Sequence, residues 1–103
     1  MVMTKYAKGR TREYRAMSIL RNDGWLVARS AASHGAVDIF AAKDGKILLL
    51  QVKSGVARLK KEEAEELVRW GKYTKGEAQV WHFKQGGKIE KRRIYASDTE
   101  DPR

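Results

Sequence analysis

Val37-Asp38-Ile39-Phe40-Ala41-Ala42-Lys43-Asp44-Gly45-Lys46-Ile47-Leu48-Leu49-Leu50-Gln51-Val52-Lys53 reads as two short strands, 37–42 and 46–53, joined by a turn at Asp44-Gly45. Asp-Gly between apolar runs is a hairpin signal, because both residues tolerate the positive φ that a tight turn requires. Side chains alternate along a strand, so Ile47, Leu49, Gln51 and Lys53 share one face, and Leu48, Leu50 and Val52 share the other. The run from Ile47 to Leu50 is apolar on both faces, as in a central strand covered from both sides. Gln51 and Lys53 emerge at its polar end, and a lysine there needs an anionic partner. Asp38 on the neighbouring strand is the natural one. Spacing leaves two readings open: an Asp–Lys ion pair at a sheet edge, or a metal site with Lys53 beside it. In the second, Asp38 and the Val52 carbonyl supply hard oxygens to the ion. Lys53 orients or deprotonates a water and offsets phosphate charge.

Working outward, Tyr14, Met17 and Leu20 recur at helical spacing and Gly24 is a natural stop, which predicts a helix from about Lys8 to Asn22. Residues 25–30 form a short strand and 31–36 a loop. After Ser54-Gly55 a second helix spans 59–73, with Ala64, Leu67, Val68 and Gly71 on its apolar face. Two more strands, 78–84 and 88–96, flank Gln85-Gly86-Gly87. The order α-β-β-β-α-β-β predicts an α/β fold, a central mixed sheet with helices on its faces. At 103 residues the chain is expected to be one domain, with a loose basic start over 1–8 and an acidic tail over 97–103.

There is no cysteine, which excludes disulfides, thiolate catalysis and zinc–thiolate centres and fits a reducing compartment. No apolar run approaches the ~20 residues of a membrane span, and Lys5, Lys8, Arg10 and Arg12 break up any signal-peptide core. A soluble, cytoplasmic protein is expected. Twenty-two Lys and Arg against thirteen Asp and Glu give a net charge of +9, which points to a polyanionic partner and, beside the hairpin, to nucleic acid.

Glu13 falls in line with Met17 and Leu20 on the inward stripe of the first helix, where a carboxylate needs a partner and can approach Asp38 and Lys53; the other reading is an acid near the helix start that favours the macrodipole. Ser33 and His34, in the loop before Asp38, offer groups to a phosphate. Lys8, Arg10, Arg12, Arg29, Ser30, Arg58, Lys60 and Lys61 are candidate backbone contacts. Trp70, Tyr73 and Trp81 can stack on bases, although core or interface packing suits them better.

These residues resemble the PD-(D/E)xK nuclease superfamily, and within it the archaeal-type Holliday junction resolvases. The resemblance rests on Lys8-Gly9, Glu13, Leu20-Arg21-Asn22-Asp23-Gly24-Trp25, Arg29-Ser30-Ala31-Ala32-Ser33, Val37-Asp38 and Gln51-Val52-Lys53, in that order over roughly residues 8–84. Gln51-Val52-Lys53-Ser54-Gly55 is also similar to the small VRR-type nucleases. The resemblance implies a restriction-endonuclease-like fold, Mg²⁺-dependent (or Mn²⁺-dependent) hydrolysis of branched DNA, and a homodimer. It assigns Glu13, Asp38 and position 51 to the metal, Lys53 to catalysis and Ser33 to the phosphate. In that family position 51 is a carboxylate, and here it is a neutral glutamine. Three readings follow: Gln51 serves as a neutral ligand, an acid from 62, 63 or 66 replaces it, or the protein binds DNA without cutting it.

Overall fold

The computed structural model describes residues 5–31 and 35–97. Helix α1 (Lys5–Asn22) leads into strands β1 (Leu26–Arg29), β2 (Ile39–Lys43) and β3 (Lys46–Ser54). Helix α2 (Lys61–Thr74) follows, then β4 (Glu77–Phe83) and β5 (Ile89–Ala96). The strands form one sheet in the order β1-β2-β3-β4-β5, antiparallel except for the parallel pair β3–β4. That parallel pair requires a crossover, and α2 is its connection. The α/β expectation and the order of elements hold.

Local chemistry sets the boundaries. Gly24, at φ +94°, ends α1: Trp25 N–H reaches the Leu20 carbonyl at 3.0 Å and Gly24 N–H the Arg21 carbonyl at 2.9 Å, the paired bonds of a Schellman motif. Asp44 and Gly45 both take positive φ at the hairpin turn, as a tight primed turn demands.

Two cores sandwich the sheet. On one face Ala16, Met17 and Leu20 of α1 pack with Ile39, Ala41, Leu48, Leu50, Trp81 and Phe83. On the other, Leu67 of α2 packs with Ala36, Val37, Leu49, Ala78 and Val80. The alternation in β3 therefore divides as expected, with Gln51 and Lys53 on the α2 side.

Trp81 is buried, as the core-packing reading expected, with its indole N–H bonded to Gln79 Oε1 at 2.7 Å. Two expectations change. Tyr14 is not on the inward stripe; it is half exposed, with Arg29 lying 5.4 Å over its ring. Helix α2 begins at Lys61, two residues after Leu59, and that leaves Leu59 free to pack against the α2-side core. Among the described residues, no helix is long and apolar enough to cross a membrane.

Candidate active site

The hairpin opens where the candidate residues lie. The β2–β3 ladder ends with Ile39 opposite Leu50, and Asp38 N–H then donates to the Leu50 carbonyl at 2.8 Å. Beyond that point the N–H of Val52 is taken by Asp38 itself, through Oδ2 at 2.8 Å. The N–H and C=O of one strand residue point to the same side, so the Val52 carbonyl faces the gap that Asp38 borders. Behind Asp38, its carbonyl accepts the Ser30 N–H at 2.8 Å, which anchors the end of β1.

Gln51, directly across from Asp38 by extension of the ladder, is 6% exposed. Its Oε1 is fully buried and has no hydrogen-bond partner among the described residues. A buried carbonyl oxygen left unsatisfied costs about 1–3 kcal/mol, so it marks a place where a ligand or ion supplies the missing partner. Burial also pushes the Asp38 carboxyl up to about 6; the neighbouring charges of Glu13 and Glu63 add to this, while the Val52 N–H and Lys53 oppose it. Both observations describe buried acceptor oxygens at the open end of the hairpin.

Lys53 does not pair with Asp38. Its Nζ lies 3.0 Å from the Glu63 carboxylate, with both side chains largely buried. The reason is the start of α2. Glu63 accepts the Lys60 N–H at 2.9 Å, as the third residue of a capping box does, and this bond sets its carboxylate over β3. Burial works to raise the Glu63 carboxyl, but the Lys60 N–H and Lys53 outweigh it and hold it below its ordinary value. Of the three helical acids considered as replacements, Glu63 reaches the site; Glu66 instead accepts the Trp70 indole N–H at 3.4 Å.

Glu13 is largely buried, as its place on the stripe predicts, and pairs with Arg29 Nη1 at 3.2 Å. Arg29 is therefore committed to the site's own carboxylate. Among the described residues, no three or more His, Asp or Glu side chains come close enough to hold a metal by themselves. A cation would have to draw on Asp38, Gln51 Oε1 and the Val52 carbonyl, with Glu13 nearby. These are all hard oxygens of the kind Mg²⁺ takes, with waters completing its shell.

Arg58, Lys60 and Lys61 are exposed on the loop and first turn of α2, and Arg12 is half buried on α1. Ser33 and His34 lie outside the described residues, as do the side chains of Lys8 and Arg10. The glutamate that holds Lys53 had no spacing signal pointing to that role; only its place in the first turn of α2 hinted at a fixed orientation.

A family model of archaeal Holliday junction resolvases (Hjc) matches residues 4–99. The crossover junction endodeoxyribonuclease Hjc of Methanocaldococcus jannaschii is 34% identical over 67 residues, which is 62% of this chain and 50% of that protein. The chain thus aligns with about half the length of that relative. The solved structure of Archaeoglobus fulgidus Hjc, a Holliday junction resolvase, superposes with a TM-score of 0.75 at 23% identity, covering 84% of this chain and 73% of that one.

Proposed function

We propose, because the chain belongs to the archaeal Holliday junction resolvase family, that it is a metal-dependent endodeoxyribonuclease acting on branched DNA. The observation that carries this reading is the buried Gln51 Oε1, without a hydrogen-bond partner among the described residues, on the residue across the ladder from Asp38, whose carboxyl is raised to about 6. Asp38, Gln51 Oε1 and the Val52 carbonyl would hold Mg²⁺, with Mn²⁺ as a substitute, and Glu13 would join them directly or through water. When bound, the ion would polarise the scissile phosphate and make an attacking water more acidic.

The remaining work belongs to the chain. Val52 N–H fixes the rotamer of Asp38. Arg29 holds Glu13 toward the gap. Lys53 sets an ammonium beside the phosphate, where it offsets charge that develops on the non-bridging oxygens. Glu63 keeps that ammonium from swinging away. Ser33 and His34, in the loop before Asp38, and Lys8, Arg10, Arg12, Lys60 and Lys61 would contact the DNA backbone.

We also propose a homodimer. Leu26, Ile47, Trp70 and Tyr73 are exposed apolar side chains on the α2 side of the sheet, with Trp70 packed edge-on against Phe40 at 5.3 Å. A patch of this kind on a small domain favours self-association. Sedimentation equilibrium would report a dimer that Trp70→Glu with Tyr73→Glu dissociates.

A second reading has its own support. Gln51 carries no charge, and among the described residues no three His, Asp or Glu side chains come together at the site. A protein of this fold that binds junctions without cutting them would look the same. Incubating it with a four-way junction and with linear duplex, each in Mg²⁺, Mn²⁺ or EDTA, separates the two. Paired, metal-dependent nicks across the junction that vanish in Asp38→Asn support the nuclease. Tight binding with no nicks in any metal establishes the binder, and equal cutting of plain duplex contradicts junction specificity.

A further inference from the structure

A depression of about 300 Å³ opens beside the candidate site, on the α2 side of the sheet, and shares Lys53 with it. Arg58, His82 and Arg92 line it, with Leu59 and Val80 forming its apolar wall. None of these three basic residues is near the others in sequence; the sheet brings them together. In the parallel β3–β4 pair, Gln51 lies opposite Val80 and Lys53 opposite His82. In β4–β5, Val80 lies opposite Arg92 and His82 opposite Glu90. Arg92 therefore extends the row that starts at Asp38 and Gln51, two strands from Gln51, or about 10 Å at the usual strand spacing.

The two arginines here differ from the others. Elsewhere arginines serve the fold: Arg29 pairs with Glu13 at 3.2 Å and Arg93 with Glu77 at 3.1 Å. Arg58 and Arg92 have no carboxylate partner among the described residues. The one acid in the depression, Glu90, is drawn toward Lys84 at 3.6 Å. His82 is anchored through Nε2, 2.7 Å from the Gly55 carbonyl, which ties β4 to the loop that carries Arg58. Two guanidinium forks on one wall favour a tetrahedral oxyanion with several acceptor oxygens, and the His82 bond fixes the loop that carries one of them. Because Lys53 borders both sites, an anion seated here would be a neighbouring phosphate on the same strand as the one at Asp38.

We propose that Arg58 and Arg92, with His82 tying the Arg58 loop to β4, form a second phosphate-binding subsite that holds the DNA strand on the β5 side of the cleavage position. The subsite rests on the nuclease reading for its orientation, but its binding signature is separate from cutting.

The test compares two charge-matched variants. Arg58→Ala with Arg92→Ala removes the subsite. Lys46→Ala with Lys72→Ala removes the same charge from the opposite end of the sheet. Binding of a four-way junction is followed by fluorescence anisotropy in EDTA over a range of salt. The arginine pair should flatten the plot of log affinity against log salt by one to two, at about 0.9 per phosphate lost, and the lysine pair should leave it near the wild-type slope. A second series places one neutral methylphosphonate at each linkage around the cut. At one linkage it should weaken the wild type about tenfold and leave the arginine variant unchanged. Equal flattening in both variants, or no linkage at which the two proteins differ, overturns the subsite. If the predicted binding pattern appears but the wild type never cuts, the subsite stands and the nuclease reading falls. If cutting persists and the arginine variant keeps the wild-type slope, the reverse holds.

Discussion

The β2–β3 hairpin has a closed end and an open end, built from the same two strands. At the closed end polar groups find partners. The Lys43 ammonium reaches Asp23 and lies 6.0 Å over the Trp25 ring, and nearby Ser97 Oγ donates to the Lys75 carbonyl at 2.9 Å. At the open end the ladder stops one residue too soon. Asp38 substitutes its side chain for a backbone acceptor, Gln51 Oε1 has no hydrogen-bond partner among the described residues, and Glu13 and Glu63 press on a carboxyl already raised by burial. The two ends therefore differ in how far the described residues satisfy their polar groups, and the acceptor oxygens gathered at the open end are the set that the proposed cation site would draw on.

Mutations at the open end should cost activity far more than stability. Asp38→Asn or Lys53→Ala should lower single-turnover cleavage of a four-way junction by about a thousandfold. Asp38→Asn should also raise the urea midpoint of the metal-free protein at pH 7.5, since it removes a charge that burial disfavours. A lower midpoint would mean that Asp38 is structural. Glu63→Gln keeps the capping bond but removes the Lys53 counter-ion, and it should reduce cleavage about ten- to a hundredfold with little loss of stability. Wild-type cleavage in Glu63→Gln would show that Lys53 finds its place unaided.

The pH dependence of stability should isolate the open end further. Asp38 ionises near 3.8 as a free group and near 6 when folded. The folded chain thus holds the proton longer than the unfolded one. The stability this group contributes is present below about 4 and is lost as pH rises through about 6. Glu63 is held low and has the opposite sign, so the informative quantity is the difference between wild type and Asp38→Asn. In EDTA, the urea midpoint of the wild type should fall relative to that variant between pH 4 and 7; a flat difference would contradict the raised carboxyl. The smallest effect belongs to the closed end of the sheet. Arg93→Ala breaks a half-exposed pair with Glu77, and should shift stability by about 0–1 kcal/mol and leave cleavage unchanged.

Much of this architecture was legible in the sequence because it depends on local periodicity. Alternation along 46–53 set the two faces of β3, and Asp44-Gly45 set the turn. Glu13 was legible as an inward acid from its spacing to Met17 and Leu20. What depended on the crossover was not. The partner of Lys53 is Glu63, ten residues on, because α2 begins at Lys61 and its first turn sits over β3; no spacing rule carries that information. Tyr14 matches the inward spacing but faces outward, where its ring meets Arg29. The grouping of Arg58, His82 and Arg92 follows from the parallel register of β3 and β4, which α2 determines. That Gln51 would be left with a buried oxygen and no partner could be seen only once the end of the ladder was placed.

The proposed site has the buried Gln51 oxygen and the raised Asp38 carboxyl together hold a divalent cation. Titration calorimetry of Mn²⁺ into the DNA-free protein tests it most directly. One site per chain is predicted, abolished by Asp38→Asn and tightened about tenfold by Gln51→Glu, which adds a charge to the same shell. Absence of Mn²⁺ binding in both the wild type and Gln51→Glu, or equal affinity in all three proteins, would contradict it.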